Sequence, residues 1–192
     1  MYTEARIYHA HFTLLEGYTM DRKFTNDAQR AMELAEVLAR RTHSEHVTTW
    51  HMILALIEDE NSLISKILEK LGADRVAVQD MLLRLSLPGC AIISMSTLPF
   101  VPRVENAIDF ARKKSAEWND SDIGVEHIFL GLLMEYESPG VRALAGWNNI
   151  TVTGAEVAIR DLRMENSTVD TVSEIPTNLA LSAVSSVEED TD

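Results

Sequence analysis

From residue 24 onward the apolar positions of the chain fall at three- and four-residue steps. Ala28, Ala31, Met32, Ala35, Leu38 and Ala39 form a stripe along one face of a predicted helix, and Thr25 is placed to cap its start. A second, shorter helix begins near Thr48–Thr49 and is apolar nearly all round, through Met52, Ile53, Leu54, Ala55, Leu56 and Ile57. A helix with so little polar surface must be buried by neighbours. The pattern predicts a third helix over 62–71, stopped by Gly72. A fourth follows Asp74 as N-cap, with Val78, Met81, Leu82 and Leu85 turned inward.

The same plan returns 76 residues later. FTNDAQRAMELA (24–35) aligns with FVPRVENAIDFA (100–111), and HMILALI (51–57) with HIFLGLL (127–133). Without gaps, Phe24/Phe100, Ala31/Ala107, Ala35/Ala111, His51/His127, Leu54/Leu130, Leu56/Leu132, Ser62/Ser138 and Leu68/Leu144 are identical. Helices are predicted for the second copy at 102–117, 124–136, 140–147 and 153–163. A unit of this size buries little surface alone. The expected fold is therefore all-α: two pseudo-two-fold-related repeats of four helices, about eight in all, meeting at a seam.

The remaining segments divide the chain into an N-terminal extension (1–23), repeat 1 (24–85), an apolar connector (86–99), repeat 2 (100–163) and an acidic tail (164–192). The connector, SLPGCAIISMSTLP, is expected to lie against the body, with Ala91–Met95 briefly extended. The extension carries Tyr2, Tyr8, Phe12 and Tyr18, which suit packing on the body. The tail holds no aromatic and no basic residue and is expected to be disordered, with Ile175 to Val187 as a candidate docking piece.

Charge narrows the function. The chain of 192 residues has a formal net charge of −13, and no basic cluster beyond Arg112-Lys113-Lys114, which argues against nucleic acid as a partner. No apolar run approaches the roughly 20 residues that span a bilayer, and the start lacks the pattern of a secretory signal. The single cysteine, Cys90, excludes an intramolecular disulfide and fits a reducing compartment. A cytoplasmic location is expected, with no membrane contact.

Once aligned, the repeats resemble those of Clp N-terminal domains, which carry an F-T-x-x-A-x-x-A opening, a G-T-E-H-L-L-L-G-L-L helix and a closing L-x-x-L-G-x-D. The matching stretches are FTNDAQRA (24–31), HMILALI (51–57), LEKLGAD (68–74) and GVEHIFLGLL (124–133). The resemblance covers both repeats, about 140 residues, and implies eight helices in two groups and a role in recruiting substrates or adaptors for unfolding and degradation. The ATPase modules of that family need a G-x-x-x-x-G-K-[ST] loop to cradle phosphates. None of the eight glycines here is followed by lysine, so the expectation is a stand-alone N domain.

In the ClpC branch of that family, the glutamates of G-T-E-H and the threonines of the F-T openings help hold phosphoarginine. Carried over, repeat 1 keeps Thr25 but has Trp50 in place of the glutamate. Repeat 2 keeps Glu126 but has Val101 for the threonine, and Val125 within G-T-E-H. Paired within each repeat, both sites are half dismantled, so phosphoarginine binding is expected to be weak or lost.

Trp50 has two readings, a core residue or an exposed anchor for a partner's apolar segment. The matched His51 and His127 are simplest as helix-start histidines bonding their own repeats, since no nucleophile accompanies them. Glu126 has a plainer role too, beside the positive end of its helix. His43, His46 and His51 lack a second cluster to complete a metal site.

The resulting expectation is a non-catalytic protein-binding module with no cofactor and no metal. Its partners would be a Clp ATPase or peptidase, an adaptor or a client polypeptide, met through the seam and through Thr25, Trp50, His51, Val101, Glu126 and His127. The alternatives are an accessory subunit of a Clp protease complex that binds no client, and a small histidine-dependent hydrolase.

Overall fold

The computed structural model describes residues 23–85 and 95–172, apart from the side chains of 147–148 and 166–172. Within them lie eight helices: α1 (Asn26–Arg41), α2 (Thr49–Leu56), α3 (Leu63–Lys70), α4 (Arg75–Leu85), α5 (Pro102–Glu117), α6 (Val125–Met134), α7 (Pro139–Asn148) and α8 (Val152–Val172). The described residues form no strand, only two isolated bridges. No helix among them is long and apolar enough to cross a membrane.

The local signals act where the sequence places them. The Thr25 hydroxyl accepts a hydrogen bond from the Ala28 amide at 3.2 Å, and Asp74 Oδ1 accepts from the amides of Val76 and Ala77 at 2.8 and 3.3 Å. Gly72 follows α3 with φ +72°, a backbone conformation that favours glycine. His43 and Asn119, 76 apart, take the same left-handed conformation after α1 and α5. There the Ser44 amide bonds the Ala39 carbonyl and the Asp120 amide the Ser115 carbonyl, both at 2.9 Å. The duplication therefore extends to individual hydrogen bonds.

α2 and α6 are the central pair. Met52, Ile53, Ile128, Phe129 and Leu130 are fully buried, as a helix apolar on every side requires. The repeats are joined reciprocally. Phe24 of repeat 1 bridges Ile123 of repeat 2, and Phe100 of repeat 2 bridges Val47 of repeat 1. The Thr25 amide donates to the Ile123 carbonyl and the Val101 amide to the Val47 carbonyl, each at 3.0 Å. The Ile123 amide donates to Lys23 at 2.8 Å, and the Val47 amide to Pro99 at 2.9 Å. Every bond has its counterpart 76 residues away, which is the signature of an isologous interface within one chain. The outer helices cross over as well: α3 packs on α6 and α8, α7 on α2 and α4.

Two helix ends differ by more than one residue from the sequence expectation, and other boundaries lie outside the described residues. α8 continues to Val172, so the expected start of the tail at 164 falls inside a helix. Beyond the predicted end at 163, Lys70 Nζ of α3 holds Glu165 at 2.7 Å, a tertiary contact that the apolar stripe does not show. α6 ends at Met134, two residues before the predicted 136. Residues 95–99 lie against α1, where the Arg40 guanidinium donates to the carbonyls of Met95 and Ser96 at 3.0 and 2.6 Å. The extension 1–22, residues 86–94 with Cys90, and 173–192 with the Ile175–Val187 piece fall outside the described residues.

Candidate functional site

The reciprocal bridges decide which residues meet. Because the Thr25 amide is tied to Ile123, the start of α1 lies beside the start of α6, and Thr25 and Glu126 line the same cleft. The pairing expected within each repeat is replaced by a pairing across the seam. One corner keeps both polar residues, Thr25 with Glu126. At the other, Val101 is tied to Val47, three residues before Trp50. Val101 and Trp50 are both partly buried and packed against the core. The two corners are therefore not each half dismantled: one is polar and the other apolar.

The polar cleft has a volume of about 660 Å³ and is floored by Ala31, Leu34, Ala55 and Leu56. Its rim carries six carboxylates, from Asp27, Glu58, Asp59, Asp120, Asp122 and Glu126, against the guanidinium groups of Arg30 and Arg163. Arg30 Nη2 is paired with Asp27 at 2.6 Å on the exposed edge. Arg163 reaches in from α8: its Nη2 lies 2.7 Å from Asp120 Oδ2 and 2.8 Å from Glu126 Oε1. Partial burial alone would lower its pKa, but the hydrogen bonds to Asp120 and Glu126 outweigh that effect and raise it. Nothing in the sequence marked Arg163, which lies 37 positions from Glu126 and outside every repeat motif.

The two matched histidines are buried, at 0% exposure for His51 and 1% for His127. Each Nδ1 accepts from the backbone amide three residues earlier, Thr48 at 3.0 Å and Gly124 at 2.9 Å. A nitrogen that accepts cannot carry the proton in a neutral ring, so Nε2 must be the N–H. His51 Nε2 then donates to Thr42 Oγ1 at 3.0 Å. His127 Nε2 lies 2.9 Å from Asp120 Oδ2 without the alignment of a hydrogen bond, so the contact is one of charge with dipole.

Burial pushes the His51 pKa down to about 4. It also lowers that of His127, where Glu126 and Asp120 pull upward and Arg163 adds to the fall. Both rings are neutral near pH 7. They were expected among the partner contacts; His127 lines the cleft from below, while His51 is enclosed.

This arrangement bears on metal and on catalysis. Among the described residues, Asp120, Glu126 and His127 bring ligand atoms within 4.8 Å of one another, a different set from His43, His46 and His51. The Nε2–H of His127 offers no lone pair, and a guanidinium already bridges the two carboxylates. The same tautomer leaves His51 without a free basic nitrogen.

At the apolar corner, the Trp50 ring lies against His51, with centroids 3.7 Å apart and planes tilted by 36°. A Cβ placed on Gly140 of α7 would lie 3.3 Å from that of Trp50, so the tryptophan is wedged against a neighbouring helix start while part of it remains open to solvent.

A family model described as the Clp repeat (R) N-terminal domain matches residues 23–146. Among curated proteins, the chloroplastic chaperone ClpC of Pisum sativum is 27% identical over 157 residues, 80% of this chain and 16% of that protein. ClpC/MecB of Bacillus subtilis, a negative regulator of genetic competence, is 30% identical over 131 residues, 68% of this chain and 16% of that protein. The chain thus spans about a sixth of the length of these relatives.

Among solved structures, the Hsp104 N-terminal domain of Candida albicans superimposes with a TM-score of 0.64 at 16% identity, over 74% of this chain and 92% of that one. The N-domain of ClpV from Vibrio cholerae gives 0.62 at 18%, over 77% and 92%. A complex of a ClpV N-domain with a VipB peptide gives 0.55 at 18%, over 68% and 86%. At these identities the likeness is one of fold.

Proposed function

The chain belongs to the Clp repeat N-terminal domain family, and on that premise we propose that it is a non-catalytic module that binds polypeptides, recruiting or regulating substrates or adaptors of Clp ATPase–protease machinery. The observation that carries this reading is the cleft at the seam, open to solvent, apolar at its floor and rimmed by acidic groups. Such a surface suits an extended segment with apolar and cationic side chains. The commitment of both histidine rings to the backbone supports a role without chemistry. A solved ClpV N-domain carrying a VipB peptide supports the view that this fold can hold a polypeptide.

The partner residues are Thr25 and Glu126 at the polar corner, with His127 beneath them, and Trp50 and Val101 at the apolar one, with His51 behind the tryptophan. Phosphoarginine affinity is weak, because Glu126 is engaged by Arg163 and the other corner has lost both polar groups. Calorimetry returning micromolar affinity for free phosphoarginine would overturn that part.

The module itself is tested by affinity capture from its own cell extract, comparing the wild-type chain with Asp59→Lys/Asp122→Lys. Clp subunits or their clients enriched on the wild type and lost on the variant are expected. Equal enrichment on both, or none on either, removes the cleft from the account.

A further inference from the structure

Each repeat is entered by a segment from its N-terminal side, and the structure shows the course of one of them. Before Phe100, Leu98 is buried and its amide donates to Glu36 Oε1 of α1 at 3.2 Å, while Arg40 holds the carbonyls of Met95 and Ser96. Shifted by 76, Leu98, Glu36 and Arg40 correspond to Arg22, Arg112 and Ala116. The apolar plug becomes a cation, the carboxylate that receives its amide becomes a second cation, and the guanidinium anchor becomes a methyl. The arm before Phe24, residues 1–22, is therefore denied along α5 the seat that the connector has along α1.

The arm joins the described body at the cleft. The Ile123 amide donates to the Lys23 carbonyl at 2.8 Å, and Phe24 bridges Ile123 in parallel. The chain thus arrives beside Asp122 and continues into Thr25, both of which line the cleft. Leu34 and Leu63, also in its lining, are only partly buried. The arm carries a pattern that suits this surface. In IYHAHFTLL (7–15), Tyr8, Ala10, Phe12 and Leu14 alternate with His9, His11 and Thr13, so an extended backbone presents one apolar face and one polar face. The stretch from Leu14 to Lys23 spans about 30 Å when extended, ample for a cleft whose lining starts at Thr25.

Charge decides between the two ends of the chain. The rim carries six carboxylates against two guanidinium groups. Residues 173–192 hold five acidic and no basic side chains, whereas residues 1–22 hold three acidic and two basic ones. The rim repels the tail and tolerates the arm.

We propose that the N-terminal arm is the cleft's own ligand: residues 8–14 lie across its floor, with Phe12 and Leu14 seated against Leu34, Leu56 and Leu63, and an incoming polypeptide must displace them. The proposal rests on the reading of the cleft as the polypeptide site and adds its regulation. A tethered segment acts at an effective concentration on the order of millimolar. A segment whose Kd in trans is about 0.1 mM then leaves the cleft open roughly a tenth of the time and weakens a competitor about ten-fold.

Titration calorimetry of the full chain with a synthetic peptide of residues 5–18 tests this, comparing the wild type with Phe12→Ser/Leu14→Ser. The variant is expected to bind the peptide about ten-fold more tightly than the wild type, and a peptide carrying the same two serines should bind neither. Amide NMR spectra place the site: the resonances of Leu34, Ala55 and Leu56 should differ between the two proteins. Equal affinity of both proteins, binding to neither, or spectral changes confined to exposed apolar residues of α4 such as Val76 and Leu85 overturns the proposal. A gain shown instead by Leu179→Ser/Leu181→Ser gives the cleft to the tail, and a dimer in sedimentation that Phe12→Ser/Leu14→Ser abolishes gives it to the arm of a second copy; either result overturns the proposal too. If the double variant unfolds, Phe12→Ala provides the same comparison. Cleft-dependent capture from extract without a gain in peptide affinity sinks the arm alone; a gain without such capture keeps the arm and sinks the module.

Discussion

His51 and His127 are identical in sequence and in their bond to the preceding turn, yet they sit in different electrostatic settings. His51 is surrounded by neutral partners, and burial holds its pKa near 4 against an ordinary value of about 6.5 in the unfolded chain. Since the folded value is depressed, the resulting stability is fully present above pH 6.5. It is lost as pH falls from there toward 4, about 3 kcal/mol in all. Denaturant midpoints measured across that window should drop for the wild type and drop less for His51→Gln, which has no proton to gain. A parallel fall in both proteins would show that carboxylates, not His51, set the acid limit. At this scale the caps were legible, because Thr25 and Asp74 act on amides two or three residues away. Arg163 was not, because its partners, Glu126 in α6 and Asp120 in the loop before it, lie 37 and 43 residues upstream.

Helix against helix, the repeats differ at one close approach. Gly131 of α6 faces Ala107 of α5, and a Cβ there would penetrate the Ala107 carbonyl oxygen. The matched pair in repeat 1 is Ala55 and Ala31, each 7% exposed, so α1 and α2 accommodate the methyl that α5 and α6 cannot. Gly131→Ala is expected to cost about 1–3 kcal/mol through overpacking, despite the better helix propensity of alanine. Thermal melts that showed a gain would mean that α5 and α6 can separate without penalty. The apolar periodicity located all eight helices and most of their ends. It stopped α8 at 163 because the stripe fades there, whereas the ion pair of Lys70 with Glu165 comes from contact with another element.

Taken whole, the molecule is two repeats that complete each other. α3 leans on α8, α7 on α4, and each short bridge joins the opening of one repeat to the helix start of the other. A single repeat would expose the apolar faces of α2 and α3 and lose the partners of Val47 and Phe24. Residues 24–85 expressed alone should therefore show little helical signal and no cooperative melt, while 23–172 should melt in one transition. A folded, cooperative half would refute the interlock.

Periodicity, caps and the 76-residue echo are short-range facts of the chain, and they sufficed for helices, duplication and family. Which threonine faces which glutamate was left to the tertiary structure, because the two-fold seam pairs positions by geometry and not by nearness in the chain. That is why Thr25 lines the same cleft as Glu126, why Trp50 and Val101 fall at the other corner, and why Arg163 of α8 stands between the acids.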